Sequence, residues 1–394
     1  MRLCAVALAG AAMVCGQQPP LSPEVLQLSR IRERVLSTLA RQPNYTCVET
    51  VERSHRSAAT RKFQLLDIIR LEVALVDGKE MFGWPGSKKF EDTDLRNMVS
   101  TGAIGNGNFA LHAQSIFAGN HASIKYSGVE PDAVRYDFRV PVFLSGYNLR
   151  TQNGEAIVGF HGSFWARPDS LDLMRVEVIA DDIPVRLGLA EAIDRMDYSH
   201  IRIGEGEFLL PELSELTMVN LNGSESRNRV RFAGCRQFSG ESVLTFGDAP
   251  ASGEPPAPLA EIELPPDLTL HLTLLGDVDT NLSAVGDPVR ARLENELRHK
   301  GQVLFSKGAT VLGRVTRMER HENYIEVGLE FFEIESHSAR AQLRAKLLEV
   351  VGADPLWRQP RRIGALEPKP GEGLIPLSTT RPRLMHGMLM FWRT

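Results

Sequence analysis

Apolar and polar positions alternate with a period of two over most of this chain. Val134, Tyr136, Phe138 and Val140 alternate with Arg135, Asp137 and Arg139, the pattern of a strand with one buried and one wet face. Met174, Val176 and Val178 do the same against Arg175 and Glu177, and Val230 and Phe232 against Arg229 and Arg231. Turn signals separate such runs: Asp77-Gly78, Asn153-Gly154, Arg167-Pro168-Asp169-Ser170, Gly204-Glu205-Gly206 and Asn222-Gly223. The spacing predicts antiparallel hairpins from Tyr45 to Phe246. Residues 21–43 keep a different period. Leu28, Ile31, Val35, Leu36 and Leu39 recur at helical spacing behind Ser22 as N-cap and Pro23 at the first helical position, and Pro43 closes the segment. Two short helical pieces are predicted inside the strand-rich part. One is Asp92 to Val99, and the other starts at Asn108 and carries Phe109, Leu111, Ile116 and Phe117.

The alternation stops at Gly247. From there to Pro266 the chain holds six prolines and few hydrophobic anchors, the composition of a semi-extended linker. A second β-rich unit follows. Leu268, Leu270, Leu272 and Leu274 alternate with Thr269, His271 and Thr273, and strands are expected at Val289–Leu297, Val303–Phe305, Thr310–Arg317 and Tyr324–Ile334. Ala339–Val350 is expected to pair back on the last of these, Gly352–Gly373 to loop, and Leu384–Trp392 to return as a final strand. The predicted organisation is a signal at 1–16, a first unit at 17–246, the linker at 247–266 and a small barrel at 267–394.

The first sixteen residues place the protein. Arg2 is followed by a small-apolar run from Leu3 to Gly16, too short to span a bilayer but suited to a secretory signal. Val14 and Gly16 fit a cleavage site after Gly16; lipidation at Cys15 is the alternative, and it would want a small residue where Val14 stands. No transmembrane segment is expected after cleavage, and the protein is expected in the periplasm or outside the cell. Removal of the signal leaves Cys47 and Cys235. In an oxidising compartment two cysteines pair more often than not, though two buried thiols remain the alternative. A net charge of −4 over 394 residues argues for no nucleic-acid partner.

The chain carries few patterns that point to chemistry. His321-Glu322 is half of a zinc-protease motif and lacks the second histidine. His112 and His121 lack a third ligand. Gly102–Asn108 is glycine-rich before a helix but has no phosphate-binding lysine. No serine-hydrolase elbow occurs. Asp181-Asp182, Asp92/Asp94 and the Lys88–Asp92 stretch read as solvated turns. No catalytic, cofactor-binding or metal-binding residue is assigned, and the chain is expected not to be an enzyme.

Two segments carry a family likeness. Gly159–Arg175 holds an aromatic strand, an Asp/Pro turn and a strand with a basic residue, and Tyr198–Arg202 is followed by a strand ending in Leu210-Pro211. With the leading helix, residues 21–246 resemble the LolA/LolB-like periplasmic lipoprotein-carrier superfamily. The resemblance implies a mainly β (α+β) fold in which a curved antiparallel half-barrel sheet wraps the N-terminal helix. It also implies an apolar concavity for acyl chains, with Val134, Tyr136, Phe138, Val140, Phe160 and Phe164 on its inner face. The stretch Gly286–Val315, with Gly286-Asp287-Pro288 and Lys300-Gly301, is similar to TrbI-type β-barrels; that likeness implies a small β-barrel for 267–394. The expected function is a non-enzymatic cell-envelope protein binding a lipid, a lipoprotein or another apolar ligand in the first unit. The alternative is an envelope interaction or regulatory module that docks partner proteins, and an enzyme with a scattered site comes third. Fold alone does not choose among them.

Overall fold

The period-two segments form strands in the computed structural model, which describes residues 21–60, 62–76, 79–86, 90, 111–119, 121–238, 259–352 and 367–394. The proposed signal, the helix expected at 92–99, the Gly102–Asn108 loop, the Lys88–Asp94 turn and most of the linker lie outside the described residues.

The first unit begins with helix α1 (Pro23–Ala40). It stops short of the expected 43 because Pro43 disfavours helical backbone just before it. Ser22 makes no side-chain cap; its carbonyl accepts from the Val25 and Leu26 amides instead. The strands are β1 (Tyr45–Arg56), β2 (Gln64–Val76) and β3 (Lys79–Gly83), then helix α2 (Leu111–Phe117), β4 (Ser123–Glu130), β5 (Ala133–Val140), β6 (Asn148–Thr151) and β7 (Gly154–Ile157). After them come β8 (Gly159–Ala166), β9 (Leu173–Asp181), β10 (Leu189–Ile203), β11 (Gly206–Asn220) and β12 (Glu225–Gln237). Ten of these make one antiparallel sheet in the order β3-β2-β1-β12-β11-β10-β9-β8-β5-β4, with β6 and β7 as a separate hairpin. The sheet is a meander broken once, where the first strand returns to pair with the last.

The second unit contains β13 (Ala260–Glu261), β14 (Thr269–Leu274), β15 (Val278–Asp279), β16 (Pro288–Leu293), β17 (Leu297–His299) and β18 (Gln302–Phe305). It continues with β19 (Thr310–Arg320), β20 (Tyr324–Glu335), β21 (Ala339–Gln342), β22 (Lys346–Val350), β23 (Glu372–Ser378), β24 (Arg383–Leu384) and β25 (Leu389–Arg393). Its nine-stranded sheet runs β13-β21-β20-β19-β16-β14-β25-β22, with β23 on β20. The expected pairing of 339–350 back on β20 is made by β21, and the final strand enters between β14 and β22. Two strands fall where loop and linker were expected: β13 inside 247–266 and β23 at the end of 352–373.

Directly opposed residues of antiparallel strands point to the same face. The pairs Tyr126–Tyr136, Tyr136–Phe164, Phe164–Val176 and Val176–Met196 start a row at β4. Met196–Ser214, Ser214–Val230, Val230–Val51 and Val51–Ile69 carry it on to β2. One sheet face therefore runs across nine strands, and it is divided between two cores. Tyr136, Phe164, Val176 and Met196 pack with Ile31 and Val35 of α1 and Ile116 and Phe117 of α2. Val230, Val51 and Ile69 pack with residues of the second unit, among them Leu270, Val311, Val315 and Met318.

Backbone hydrogen bonds join the units as well. The Arg70 amide donates to the Val285 carbonyl at 2.7 Å and the Val285 amide to the Ile68 carbonyl at 2.7 Å. Arg70 pairs with Asp287, and the Arg314 guanidinium lies 5.3 Å from the centre of the Trp84 ring. Gly286 lies between these contacts at φ +100°, and a Cβ there would stand 2.2 Å from the Arg70 carbonyl oxygen. Only glycine fits so close a backbone crossing.

Candidate functional site

The six residues expected to line an apolar concavity are brought together. Val134, Tyr136, Phe138, Val140, Phe160 and Phe164 share the inward face of β5 and β8, and each is 0–4% exposed. Tyr136 stacks on Phe164 with ring centres 5.3 Å apart, Phe117 meets Phe164 edge-on at 4.9 Å, and Phe138 meets Phe160 at 6.1 Å. The Tyr136 hydroxyl donates to the Glu24 carbonyl at 2.9 Å. Helix α1 is also tied down by Arg32, which donates to the Phe117 carbonyl at 2.8 Å, and by Arg34, which donates to Asp172 at 2.9 Å. His200 contacts the other Asp172 oxygen at 3.1 Å. Burial pushes the Asp172 carboxyl up, but the hydrogen bonds from Arg34, His200 and Ser170 outweigh it and hold the group below the ordinary aspartate range.

A polar knot sits beneath α2. His112 lies 3.3 Å from Asp194, and Ser214 donates to the other Asp194 oxygen at 3.1 Å, all three being buried. Asp194 therefore accepts from Ser214 of β11 with one oxygen and faces His112 of α2 with the other, which ties α2 to the sheet. Burial, reinforced by the Asp194 charge, pushes the Tyr147 and Tyr198 hydroxyls well above the ordinary tyrosine range. His112 is thus a helix anchor, while His121 is exposed. His321 stacks on Tyr324 at 4.3 Å. Among the described residues no three His, Cys, Asp or Glu side chains are placed to share a metal ion.

Cys47 and Cys235 form a disulfide. They meet across a bulge where Thr46 faces Arg236 and Val48 faces Ala233, so Cys47 stands opposite two residues, Gly234 and Cys235. Gly234 takes φ +60° to make the extra residue fit.

The inward face is less apolar where it meets the second unit. Glu49 is buried there between Leu71 and Phe232 in register, and burial, with repulsion from Glu80, pushes its carboxyl up to about 8. Four residues along, Arg53 is 3% exposed and forms a two-pronged pair with Asp67. Across the junction, buried Arg317 of β19 bonds to Glu326 at 3.4 Å and to Glu372 at 3.0 Å. Between these pairs lies a cleft of about 490 Å³. The first sheet contributes Arg53, His55, Asp67, Met218, Asn220 and Ser226; the turn of the β6–β7 hairpin adds Thr151, Gln152 and Asn153. The second unit contributes Val285 and, from β19, Thr316 to Arg320. None of these positions was expected from the sequence to line a site, Asn153 having been marked only as part of a turn. In β19, Arg314, Arg317 and Arg320 recur every third residue, a spacing that marks neither strand face, and only the pairing of the two units shows which of them are covered.

No protein-family model matches the chain, and no curated protein does. Among solved structures the chain is similar to a LolA superfamily protein from Nitrosomonas europaea, with a TM-score of 0.28 and 9% identity over 54% of this chain and 93% of that one.

Proposed function

We propose that this chain is an exported, non-enzymatic cell-envelope protein that works as an interaction module, docking partner proteins through its outer surface. The observation that supports this reading is the closure of the long sheet's inward face at both ends. α1 and α2 cover one part and the second unit covers the other, leaving the six aromatic and aliphatic residues of β5 and β8 at most 4% exposed. A carrier of acyl chains needs an apolar space of several hundred Å³; to open one here, α1 or α2 would have to leave its seat and break the Arg34–Asp172 and His112–Asp194 contacts. Export is supported by the leading apolar run and by a disulfide between the two cysteines that survive signal removal.

Native mass spectrometry after gentle extraction tests the reading. The expected spectrum shows the bare mature chain, two daltons lighter than its reduced form. An adduct of acyl-lipid mass would transfer the conclusion to the carrier role.

A further inference from the structure

We propose that one end of the long sheet docks on a lipid bilayer by pressing a set of apolar turns into its surface layer. This goes beyond the docking reading and does not depend on it.

The end in question is where β5, β9 and β11 finish and β8, β10 and β12 begin. Six large apolar side chains stand in solvent there. Val142, Phe143 and Leu144 follow β5, Ile157 closes β7, Val185 lies between β9 and β10, and Leu221 follows β11. Among the described residues Phe143, at 80%, and Val185, at 78%, are the two most exposed large hydrophobic side chains. The turns support one another. Val142 runs against Gly159, where a Cβ would stand 3.0 Å from the Val142 nitrogen. The Thr151 hydroxyl of the β6–β7 hairpin donates to the Leu187 carbonyl at 3.1 Å, and the Leu221 amide donates to the Gly188 carbonyl at 2.9 Å.

Two of these turns are built alike. Pro141-Val142-Phe143-Leu144 and Pro184-Val185-Arg186-Leu187 each form a single 3₁₀ turn behind a proline, closed by the Leu144 amide on the Pro141 carbonyl at 3.0 Å and the Leu187 amide on the Pro184 carbonyl at 2.9 Å. The proline ring fixes its own backbone angle, so each tip is held out without the entropy cost of ordering a loose loop. Where one turn presents Phe143, the other presents exposed Arg186. That combination suits a membrane surface, with a ring among acyl chains and a guanidinium reaching the phosphates.

The surroundings favour a bilayer over a folded partner. The charges just behind the tips are matched within the chain, Arg139 with Asp181 at 3.2 Å and Arg150 with Glu155 at 2.8 Å, and ask for no counter-charge from outside. The apolar tips stand on separate turns, with polar Gln152 and Asn153 exposed on the hairpin turn beside them. A protein partner needs a continuous, closely packed patch of roughly 800 Å² per side. A fluid surface closes round each tip separately.

Flotation of the full mature chain with phosphatidylcholine vesicles tests this. The chain is expected to rise with the vesicles, and raising the salt from about 0.1 M to about 1 M, which shortens screening from ~10 Å to ~3 Å, should leave binding within about twofold. Phe143→Asp and Val185→Asp are each expected to weaken binding about tenfold or more. Val129→Asp, equally exposed but at the opposite end of β5, should bind as the wild-type chain does. Phe143→Trp adds a readout that needs no loss of binding: its extra emission should shift to the blue and be quenched by brominated acyl chains. A chain that stays at the bottom of the gradient overturns the proposal. So does vesicle binding that Phe143→Asp and Val185→Asp leave intact, or that Val129→Asp weakens as much. Self-association without flotation, abolished by the same two variants, would assign the tips to a second copy of the chain and overturn it equally.

Discussion

From β4 to β11 the long sheet turns its inward face to α1 and α2, and aromatic rings fill the space with one buried His–Asp contact among them. At β12, β1 and β2 the same face meets the second sheet, and charges are lodged in the junction: Glu49, Arg53 with Asp67, and Arg317 between two glutamates. A ring stack holds by area and shape and carries no group that titrates near neutral pH. A junction of buried ions holds only while each charge keeps its partner and its protonation state. The two ends of one face should therefore respond to different perturbations, and experiments can separate them.

The largest effect is expected from Phe164→Ala, which opens a hole between Tyr136, Phe117 and Phe138. It should cost roughly 3–5 kcal/mol in urea unfolding, with no dependence on pH from 5 to 9. A loss below about 1 kcal/mol would mean that the α-covered end is loosely packed. Next comes the bridge at the other end. Replacing Cys47 and Cys235 together by serine should cost roughly 2–5 kcal/mol, read from the same unfolding curves, whereas an unchanged midpoint would show that the β1–β12 pairing needs no tether.

Glu49 gives a pH signature confined to the junction. Its carboxyl titrates at about 8 in the fold against 4.5 in the open chain. Below 4.5 both states keep the proton and nothing is lost; between 4.5 and 8 only the open chain releases it. Stability should therefore fall with rising pH across that window, by up to about 1.4 kcal/mol per pH unit, and level off above it. Glu49→Gln should flatten the slope, and a slope that survives the substitution would assign it elsewhere. Asp172 works in the opposite direction and more weakly. Its lowered folded value means that its contribution is present above the ordinary aspartate range and is lost as pH falls through the folded value. Asp172→Asn should cost about 1 kcal/mol at neutral pH and next to nothing near pH 2, measured as the difference in thermal midpoint.

Much of the fold was legible in the residues. Alternation at 134–140 and 174–178 gave strands of the right register, since one face there is wet, and the helical period of Leu28 to Leu39 gave α1. Other strands were less visible for physical reasons. β2 keeps Ile69, Leu71, Val73 and Leu75 on one face but mixes Ile68, Ala74 and Val76 with Arg70 and Glu72 on the other, so its period is blurred. β23 carries Pro376 opposite Glu326 and follows a proline- and arginine-rich tract that reads as a loop. The six residues expected on the inner face of β5 and β8 do share one buried face, but sequence could not tell a lined space from a filled one, because Phe117 of α2 packs against Phe164 from a distant part of the chain. The cleft was invisible for a related reason: its walls come from strands far apart in the chain, with Arg53 of β1 and Ser226 of β12 facing Thr316 to Arg320 of β19.

The return of β1 to β12 has a consequence for how the chain comes into being. β1 is made early, yet one of its two neighbours, and the thiol that Cys47 must find, lie 188 residues downstream. Until that partner emerges, β1 presents a bare row of amides and carbonyls to whatever is nearby. Such late, long-distance closure is slow, and it makes the newly made chain a natural client for holdases and thiol oxidants well before it resembles its finished form.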